Sequence, residues 1–183
     1  MRDKIINFIL RQTRRRHPLR YLIIPVLALV FLSLVTLLTL AGIQVDAWLH
    51  LPELLIFPYN IIFSCPVLFA GIVLIFWCNY LFIQAGGTPV PLDPPKLLVE
   101  KGPYAIIRNP MITGLFLLIM GIGLFSDSKT LVFFIGPFFL ILNAIELKFI
   151  EEPELERRLG EVYVSYKKRT PMFIPKLNFR KRN

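Results

Sequence analysis

The sequence predicts an all-α integral membrane protein with about four transmembrane helices, including a helical hairpin, and a C-terminal amphipathic helix on the cytoplasmic side. Hydrophobic residues make up 55% of the 183 residues and include 16 Phe, which is too apolar for an ordinary soluble domain of this length. Several uncharged stretches are as long as a membrane-spanning helix. The Lys and Arg residues lie at the ends of those stretches, as membrane topology requires.

The net charge of +9 does not indicate a nucleic-acid-binding protein. Basic residues flank apolar stretches instead of alternating with exposed aromatic residues, as an RNA-binding surface would require. Cys65 and Cys78 lie in one apolar stretch at a spacing that puts them on different helix faces, so we expect no disulfide. With His17 and His50 as its two histidines and no CxxC motif, the sequence predicts no metal site.

Residues 1–83 are predicted to form a basic arm followed by a two-helix membrane anchor. The arm, residues 1–20, is rich in Arg. The uncharged run from Tyr21 to Gly42 is long enough to cross a hydrocarbon layer of ~30 Å. A short acidic loop leads to a second apolar run, in which Pro58 and Pro66 predict an interfacial entry followed by a helix of about 18 residues.

Residues 84–183 are predicted to form a second unit. It opens with a stretch rich in Gly and Pro, residues 84–95, which forms either a plain linker or a semi-rigid wall beside a pocket. Apolar blocks at residues 111–125 and 130–147 predict a helical hairpin whose first helix is too short to span the bilayer upright. The Gly136-Pro137 pair predicts a kink in the second helix.

The polar tail from Lys148 onward is predicted to form the amphipathic helix. Its apolar side chains recur at helical spacing, at Leu155, Leu159, Val162 and Tyr166. All but one of the 21 Lys and Arg residues fall in segments that a four-crossing arrangement places on one side. The positive-inside rule therefore predicts that both termini and the central loop are cytoplasmic.

Polar side chains collect at the predicted cytoplasmic ends of the hairpin. They are Tyr104, Arg108, Asn109, Asn143, Glu146, Glu151 and Glu152. Asn143 and Glu146 share a helix face, and an ionisable group near membrane depth needs a partner or a function. Arg108 is the candidate partner of Glu146. The pair either closes the hairpin or belongs to an active site, and these residues alone leave both interpretations open.

Two ordered motifs carry a family resemblance. They are GPYAIIRNPMITG at residues 102–114 and IEEPELERRLGEVYVSYKKRTPMFIP at residues 150–175. Together they resemble a prokaryotic-type member of the isoprenylcysteine carboxyl methyltransferase and phospholipid methyltransferase superfamily. Its signature is a Gly-x-Tyr turn, an Arg-His-Pro or Arg-Asn-Pro triplet, and a Glu-Glu pair before Gly-x-x-Tyr-x-x-Tyr and a closing Pro. The resemblance covers roughly residues 84–175, and several ordered parts are more specific than any single motif.

The resemblance implies a multi-pass methyltransferase of a prokaryotic inner or plasma membrane that uses S-adenosyl-L-methionine. The central loop, the start of the hairpin and the Glu-Glu segment are expected to form the cofactor pocket, with Glu151 accepting hydrogen bonds. The residues implied to line this pocket are Lys96, Leu97, Leu98, Val99, Tyr104, Asn109, Pro110, Met111, Ile112, Glu151 and Glu152.

The expected methyl acceptor is a lipophilic or lipidated molecule from the bilayer, with the carboxylate of an isoprenylcysteine-like substrate favoured. A carboxylate needs no deprotonation near neutral pH, and its attack on a positive sulfonium cancels charge, which a water-poor pocket favours. Arg108, Asn109 and Glu146 are the catalytic candidates, with Arg108 suited to hold an anionic acceptor. An amine acceptor needs a base, for which Glu146 or Glu152 is available.

Departures from the family pattern keep other functions open. Asn109 stands where the eukaryotic isoprenylcysteine enzymes have His, and Ile112 stands where the family usually has Tyr. Residues 146–148, Glu-Leu-Lys, replace the arginine-rich stretch of the prenylcysteine enzymes. A phospholipid N-methyltransferase, an enzyme acting on a small thiol or an isoprenoid acid, and a non-catalytic membrane scaffold are the alternatives.

Overall fold

The computed structural model describes residues 20–87, 95 and 97–175. All regular structure within these residues is helical, which confirms the all-α prediction for this part of the chain. The basic arm lies outside it except for Arg20. The helices are α1 (Arg20–Trp48), α2 (Tyr59–Gln84), α3 (Pro110–Phe125), α4 (Leu131–Leu159) and α5 (Glu161–Arg169), with a 3-10 turn at Gly102–Ala105.

Two of these helices are long and apolar enough to cross a membrane by length and composition. They are α2, with 26 residues, and α4, with 29. Helix α3 has 16 residues and is apolar but shorter, as the sequence predicted for the first helix of the hairpin. The Leu32–Trp48 part of α1 is likewise a shorter apolar helix. These helices fit a membrane protein.

Helix α2 corrects the prediction that Pro58 and Pro66 divide the second apolar run. Pro58 directly precedes the helix, and Pro66 lies inside it without ending it. The missing N–H of Pro66 breaks one backbone hydrogen bond, but apolar surroundings favour continued helix because any alternative would leave more backbone groups without partners.

Helix α4 also differs from the sequence prediction. It does not end at Leu147 but continues to Leu159. It also continues through Gly136-Pro137, where a kink was predicted. The helix is irregular just before that pair, where Leu131–Ile135 form a wide π-helical turn. A proline ring normally clashes with the carbonyl four residues earlier, which here is that of Phe133 inside the wide turn. A second π-helical turn occupies Leu147–Glu151.

Helices α2 and α3 pack antiparallel and very closely. A Cβ on Gly71 would lie 2.8 Å from the backbone oxygen of Gly114, and one on Gly114 would lie 3.1 Å from that of Gly71. Small residues allow membrane helices to approach in this way. At the other end of α3, Asn60 Nδ2 donates to the Phe125 carbonyl at 3.3 Å. The packing fixes the start of α3 against the end of α2.

Two aspartates organise the end of the molecule that is farthest from the candidate site. Asp46 accepts hydrogen bonds from the backbone N–H of Thr130 at 3.0 Å, from its hydroxyl at 2.6 Å and from the hydroxyl of Ser128. Such a carboxylate stabilises the start of a helix, here α4. Asp127 accepts from the N–H groups of residues 54 and 55 at 2.8 and 2.9 Å. The end of α1, the loop before α2 and the hairpin turn therefore meet.

Candidate active site

The Gly102–Ala105 turn places Tyr104 inside the protein. Gly102 has φ +59°, and a Cβ there would lie 3.1 Å from Trp77 Nε1, so glycine suits both the backbone and the close approach. Tyr104 is buried, its ring centroid lies 5.4 Å from that of Phe82, and its hydroxyl forms a hydrogen bond with the Cys78 thiol. Burial raises the pKa of Tyr104 far above its usual value, so the phenol stays neutral. Tyr104 therefore forms a wall of the site.

The C-terminal segment holds the backbone of the Arg-Asn-Pro triplet. The N–H of Arg108 donates to the Pro171 carbonyl at 2.8 Å, and that of Asn109 donates to the Met172 carbonyl at 3.2 Å. Pro110 then begins α3, a position that suits its fixed φ and its missing N–H. The side chains of Arg108 and Asn109 are thus positioned by a segment far away in sequence.

Glu152 is the buried partner of Arg108. Arg108 Nη2 lies 2.9 Å from Glu152 Oε1, and the two side chains are 10% and 4% exposed. Glu152 Oε2 lies 2.6 Å from Lys167 Nζ, which also contacts Glu156 Oε1 at 2.9 Å. The prediction that Glu146 is the partner of Arg108 is therefore wrong, because Glu152 is the glutamate that faces the guanidinium.

Arg108 keeps donors that this ion pair does not use. Its Nε and Nη1 are buried and have no hydrogen-bond partner among the described residues. A buried donor without a partner costs ~1–3 kcal/mol and is rare in folded proteins. Guanidinium donors bind carboxylate and phosphate strongly. The arrangement is therefore suited to an anionic ligand.

The second π-helical turn determines the directions in which the side chains of Glu146, Glu151 and Glu152 point. A π turn spans more residues than an α turn, so Glu151 follows Glu146 along one face although the two are five positions apart in sequence. Glu146 and Glu151 are exposed at the surface of the protein, and their charges act on each other. Glu152 lies ~100° further round the helix and is buried. The turn thus separates an open pair of carboxylates from the buried partner of Arg108.

The other residues implied to line a cofactor lie at different depths. Pro110 is buried, and Leu97 is 74% exposed. The half-buried members are Leu98, Val99, Asn109, Met111 and Ile112. Lys96 lies outside the described residues. The roles of all these residues in binding stay predictions.

Sequence reasoning did not assign a role to three residues that hold the site together. The Tyr166 hydroxyl donates to the Tyr104 carbonyl at 2.7 Å. Lys167 binds Glu152 as described above. Arg158 Nη1 donates to the Pro95 carbonyl at 2.9 Å, which ties the central loop to α4. The regular spacing of tyrosines in the Gly-x-x-Tyr-x-x-Tyr-Lys run was the feature of the sequence that could have indicated the roles of Tyr166 and Lys167.

The predicted single amphipathic helix in the tail is wrong. Gly160, with φ +62°, separates α4 from α5 and changes the phase of the helical pattern. Val162, expected on the apolar face, is 59% exposed. Tyr163 and Tyr166 are the buried residues of α5.

The site combines Arg108 donors that have no partner within the described part of the chain, exposed carboxylates at Glu146 and Glu151, and the half-buried apolar side chains of Met111 and Ile112. S-adenosylmethionine carries a positive sulfonium, an amino-acid group and ribose hydroxyls, so it fits this set of donors and acceptors. In the described part of the chain, no group of three or more His, Cys, Asp or Glu residues is placed to hold a metal ion.

A comparison with family models identifies the family of this chain. The model of the phospholipid methyltransferase family matches residues 59–162, more than half of the chain. The nickel-cobalt-cadmium resistance protein NccN of Alcaligenes xylosoxydans xylosoxydans is 32% identical over 81 residues, which cover 44% of this chain and 37% of that protein. The chain therefore matches well under two thirds of this relative. The matched family is part of the isoprenylcysteine carboxyl methyltransferase-like superfamily, as the sequence motifs predicted, and this chain belongs to the phospholipid methyltransferase family.

Proposed function

We propose that this protein is an S-adenosylmethionine-dependent membrane methyltransferase whose acceptor is a lipophilic molecule with an anionic head. The carboxylate of an isoprenylcysteine-like molecule is the leading candidate. The family supports methyl transfer, and the site residues fit the cofactor. The observation that carries the acceptor assignment is Arg108, whose buried guanidinium keeps Nε and Nη1 without a partner among the described residues.

When bound, the cofactor supplies a methyl group on a positively charged sulfur, and transfer of that group to the acceptor oxygen breaks the carbon–sulfur bond. Arg108 holds the acceptor's carboxylate, and Glu152 keeps the guanidinium in place. Glu151 and Glu146 would hold the cofactor, because their oxygens can accept hydrogen bonds from its ammonium and hydroxyl groups. Opposite charges disappear in the reaction, so the buried surroundings of Arg108 favour it over water. A carboxylate acceptor requires no proton transfer.

An amine-headed phospholipid is the second candidate acceptor. It is favoured by Glu146 and Glu151, which are both exposed and repel each other. An ammonium group beside them would relieve this repulsion, and one carboxylate would accept the proton that the amine must lose. Arg108 would then hold the phosphate of the same lipid.

We also propose that the chain crosses the membrane four times. Helices α1 to α4 would each cross the bilayer, with α3 tilted or incompletely spanning because of its length. The site, both termini and the central loop would lie on the cytoplasmic side, where the positive-inside rule places the basic segments.

The acceptor class is tested with purified protein, methyl-labelled S-adenosylmethionine and a total membrane lipid extract. A methyl ester releases labelled methanol in alkali, whereas an N-methyl group stays on the lipid. Alkali-labile label supports the carboxylate acceptor, and alkali-stable label supports the phospholipid amine. A protein that labels no lipid and shows no thermal shift with S-adenosylhomocysteine would be the non-catalytic scaffold.

A further inference from the structure

Tyr163 is a buried side chain of α5 that the proposed function does not use. It is 3% exposed, and its ring centroid lies 6.1 Å from that of Tyr166. The Tyr166 hydroxyl donates to the Tyr104 carbonyl, whereas the Tyr163 hydroxyl has no hydrogen-bond partner among the described residues. A polar group without a partner is rare inside a folded protein. The hydroxyl of Tyr163 is therefore available to a ligand.

The spacing of residues on α5 directs Tyr163 toward the ion pair of Arg108 and Glu152. Tyr163 and Lys167 are four positions apart and share one face of the helix. On that face, Lys167 Nζ lies 2.6 Å from Glu152 Oε2. Both charges of the ion pair are close enough to the Tyr163 phenol to affect it. The phenol therefore lies beside Arg108, whose Nε and Nη1 have no partner within the described part of the chain.

The phenol of Tyr163 is a neutral hydrogen-bond donor. Burial raises the pKa of Tyr163 above its usual value, the charges of Glu152 and Glu151 raise it further, and the charge of Arg108 lowers it. The net shift is upward, so the proton stays on the phenol oxygen near neutral pH. A protonated phenol beside a guanidinium favours an anionic oxygen of a ligand, because both groups donate.

A carboxylate matches this combination of donors. It has two oxygens, which together offer about four positions for accepting hydrogen bonds. Glu152 holds the guanidinium of Arg108 through Nη2, which leaves Nε and Nη1 for other acceptors. Tyr163 adds a donor from α5, on the other side of the chain from the segment that carries Arg108 in sequence. One carboxylate can therefore accept hydrogen bonds from both side chains at once.

We propose that the Tyr163 hydroxyl and the Arg108 guanidinium together bind the carboxylate of the methyl acceptor, so that Tyr163 determines specificity for an acid. That this carboxylate belongs to the acceptor rests on the proposed function. Tyr163 favours the acid over its methyl ester, because the ester lacks the negative charge that strengthens the hydrogen bond. The methylated product is therefore held less tightly than the acid.

The test measures binding of N-acetyl-S-farnesylcysteine and of its methyl ester to the purified protein in detergent, by microscale thermophoresis with excess S-adenosylhomocysteine. The wild type should bind the acid more tightly than the ester. Tyr163→Phe removes only the hydroxyl, so this preference should fall about tenfold while the melting temperature stays near wild type. Tyr59→Phe makes the same change at an exposed tyrosine and should keep the wild-type preference. Partitioning of the ligands into detergent is the same for every variant.

The cofactor also carries a carboxylate, and a second measurement separates this source from the acceptor. S-adenosylhomocysteine has the amino-acid group, and methylthioadenosine lacks it. Tyr163→Phe should leave the affinity for both compounds unchanged. A loss of affinity for S-adenosylhomocysteine alone would assign Tyr163 to the cofactor's carboxylate and overturn its assignment to the acceptor.

A reduced preference for the acid in Tyr163→Phe, with both cofactor analogues bound as in the wild type, supports the proposal. Equal losses for acid and ester would indicate a structural role only. That result, an unchanged preference in Tyr163→Phe, or a wild type without any preference overturns the proposal. The binding assay involves no methyl transfer. A protein that prefers the acid through Tyr163 but methylates no lipid would refute the proposed function and leave this binding site standing, so the two failures are distinguishable.

Discussion

Glu152 is shared by two cations that come from different parts of the chain. Arg108 precedes α3 and Lys167 belongs to α5, and each takes one oxygen of the buried carboxylate. The buried pair of Arg108 and Glu152 is worth little net stability, but removing one of its members leaves a costly uncompensated charge. Its value to the protein is therefore positional, because it fixes the guanidinium while Nε and Nη1 keep no hydrogen-bond partner among the described residues.

Arg108→Lys separates acceptor binding from structural support. Lysine keeps the positive charge beside Glu152 but loses the planar set of donors. We expect melting temperature and S-adenosylhomocysteine affinity to stay near wild type, while turnover on the identified acceptor falls tenfold or more, ~1.4 kcal/mol in the barrier. Arg108→Met is the comparison, since it should also lose thermal stability. Wild-type turnover in Arg108→Lys would assign Arg108 to structure alone.

Lys167 is expected to act on Arg108 through Glu152. Lys167→Gln should lower thermal stability only slightly, ~0.2–1 kcal/mol, because the pair is partly exposed, but turnover should fall several-fold as the guanidinium loses its fixed position. Lys167→Arg should restore turnover. Lys168→Gln is the matched control, since Lys168 is the exposed neighbour. Equal turnover in the two Gln variants would show that Lys167 does not position the site.

The same contact makes a pH prediction. Burial opposes the charge of Lys167, but hydrogen bonds to Glu152 and Glu156 outweigh it and raise the pKa above the usual 10.5. The folded pKa lies above the unfolded one, so the contribution to stability is complete below the unfolded pKa and is lost as pH rises through the folded value. The stability difference between wild type and Lys167→Gln, measured by thermal unfolding, should therefore stay constant from pH 6 to 9. A decline of that difference within this interval would contradict the raised pKa.

At the level of helices, the lengths of the apolar runs and the polar turns between them predicted α2, α3 and the hairpin. These features are readable in the sequence because the burial of apolar surface in lipid determines where such helices begin and end. The π-helical turn at Leu147–Glu151 was not predictable from a period of 3.6 residues, since a wide turn depends on packing rather than on residue type. It reversed the expected pairing by turning Glu152, instead of Glu146, toward Arg108. Pro66 likewise lies inside a helix because no better backbone partner exists in an apolar environment.

Helix α5 holds the Gly102–Ala105 turn in place. Tyr166→Phe removes the hydroxyl that donates to the buried Tyr104 carbonyl, so stability should fall by ~1–3 kcal/mol. Hydrogen exchange at the amides of Arg108 and Asn109 should become faster, because the turn that precedes them is less well held. Tyr59→Phe, at an exposed tyrosine of α2, is the control and should change neither quantity. Unchanged exchange at both amides would mean that α5 does not hold the turn.

At the scale of the whole molecule, the sequence predicted which residue types belong to the site but not how they meet. The backbone N–H groups of residues 108 and 109 donate to the carbonyls of residues 171 and 172, and backbone hydrogen bonds of this kind leave no trace in side-chain chemistry. The family motifs placed residues 108–109 and residues 171–172 in one functional region, but they did not show that the second segment binds the backbone of the first. Only the folded chain shows that the C-terminal segment is a structural part of the site.

The four-crossing arrangement is tested by introducing one additional cysteine at a time, at exposed loop and helix positions. Glu53 lies in the loop between α1 and α2, Lys101 precedes the Tyr104 turn, and Lys168 is on α5. A membrane-impermeant maleimide should label Glu53→Cys in intact cells, and Lys101→Cys and Lys168→Cys only after the cells are opened. The parent protein, with Cys65 on apolar α2 and Cys78 buried, gives the background. Labelling of Lys101→Cys from outside would place the site on the opposite face of the membrane. The cytoplasmic supply of S-adenosylmethionine could not reach it there, so this result would contradict the proposed activity along with the topology.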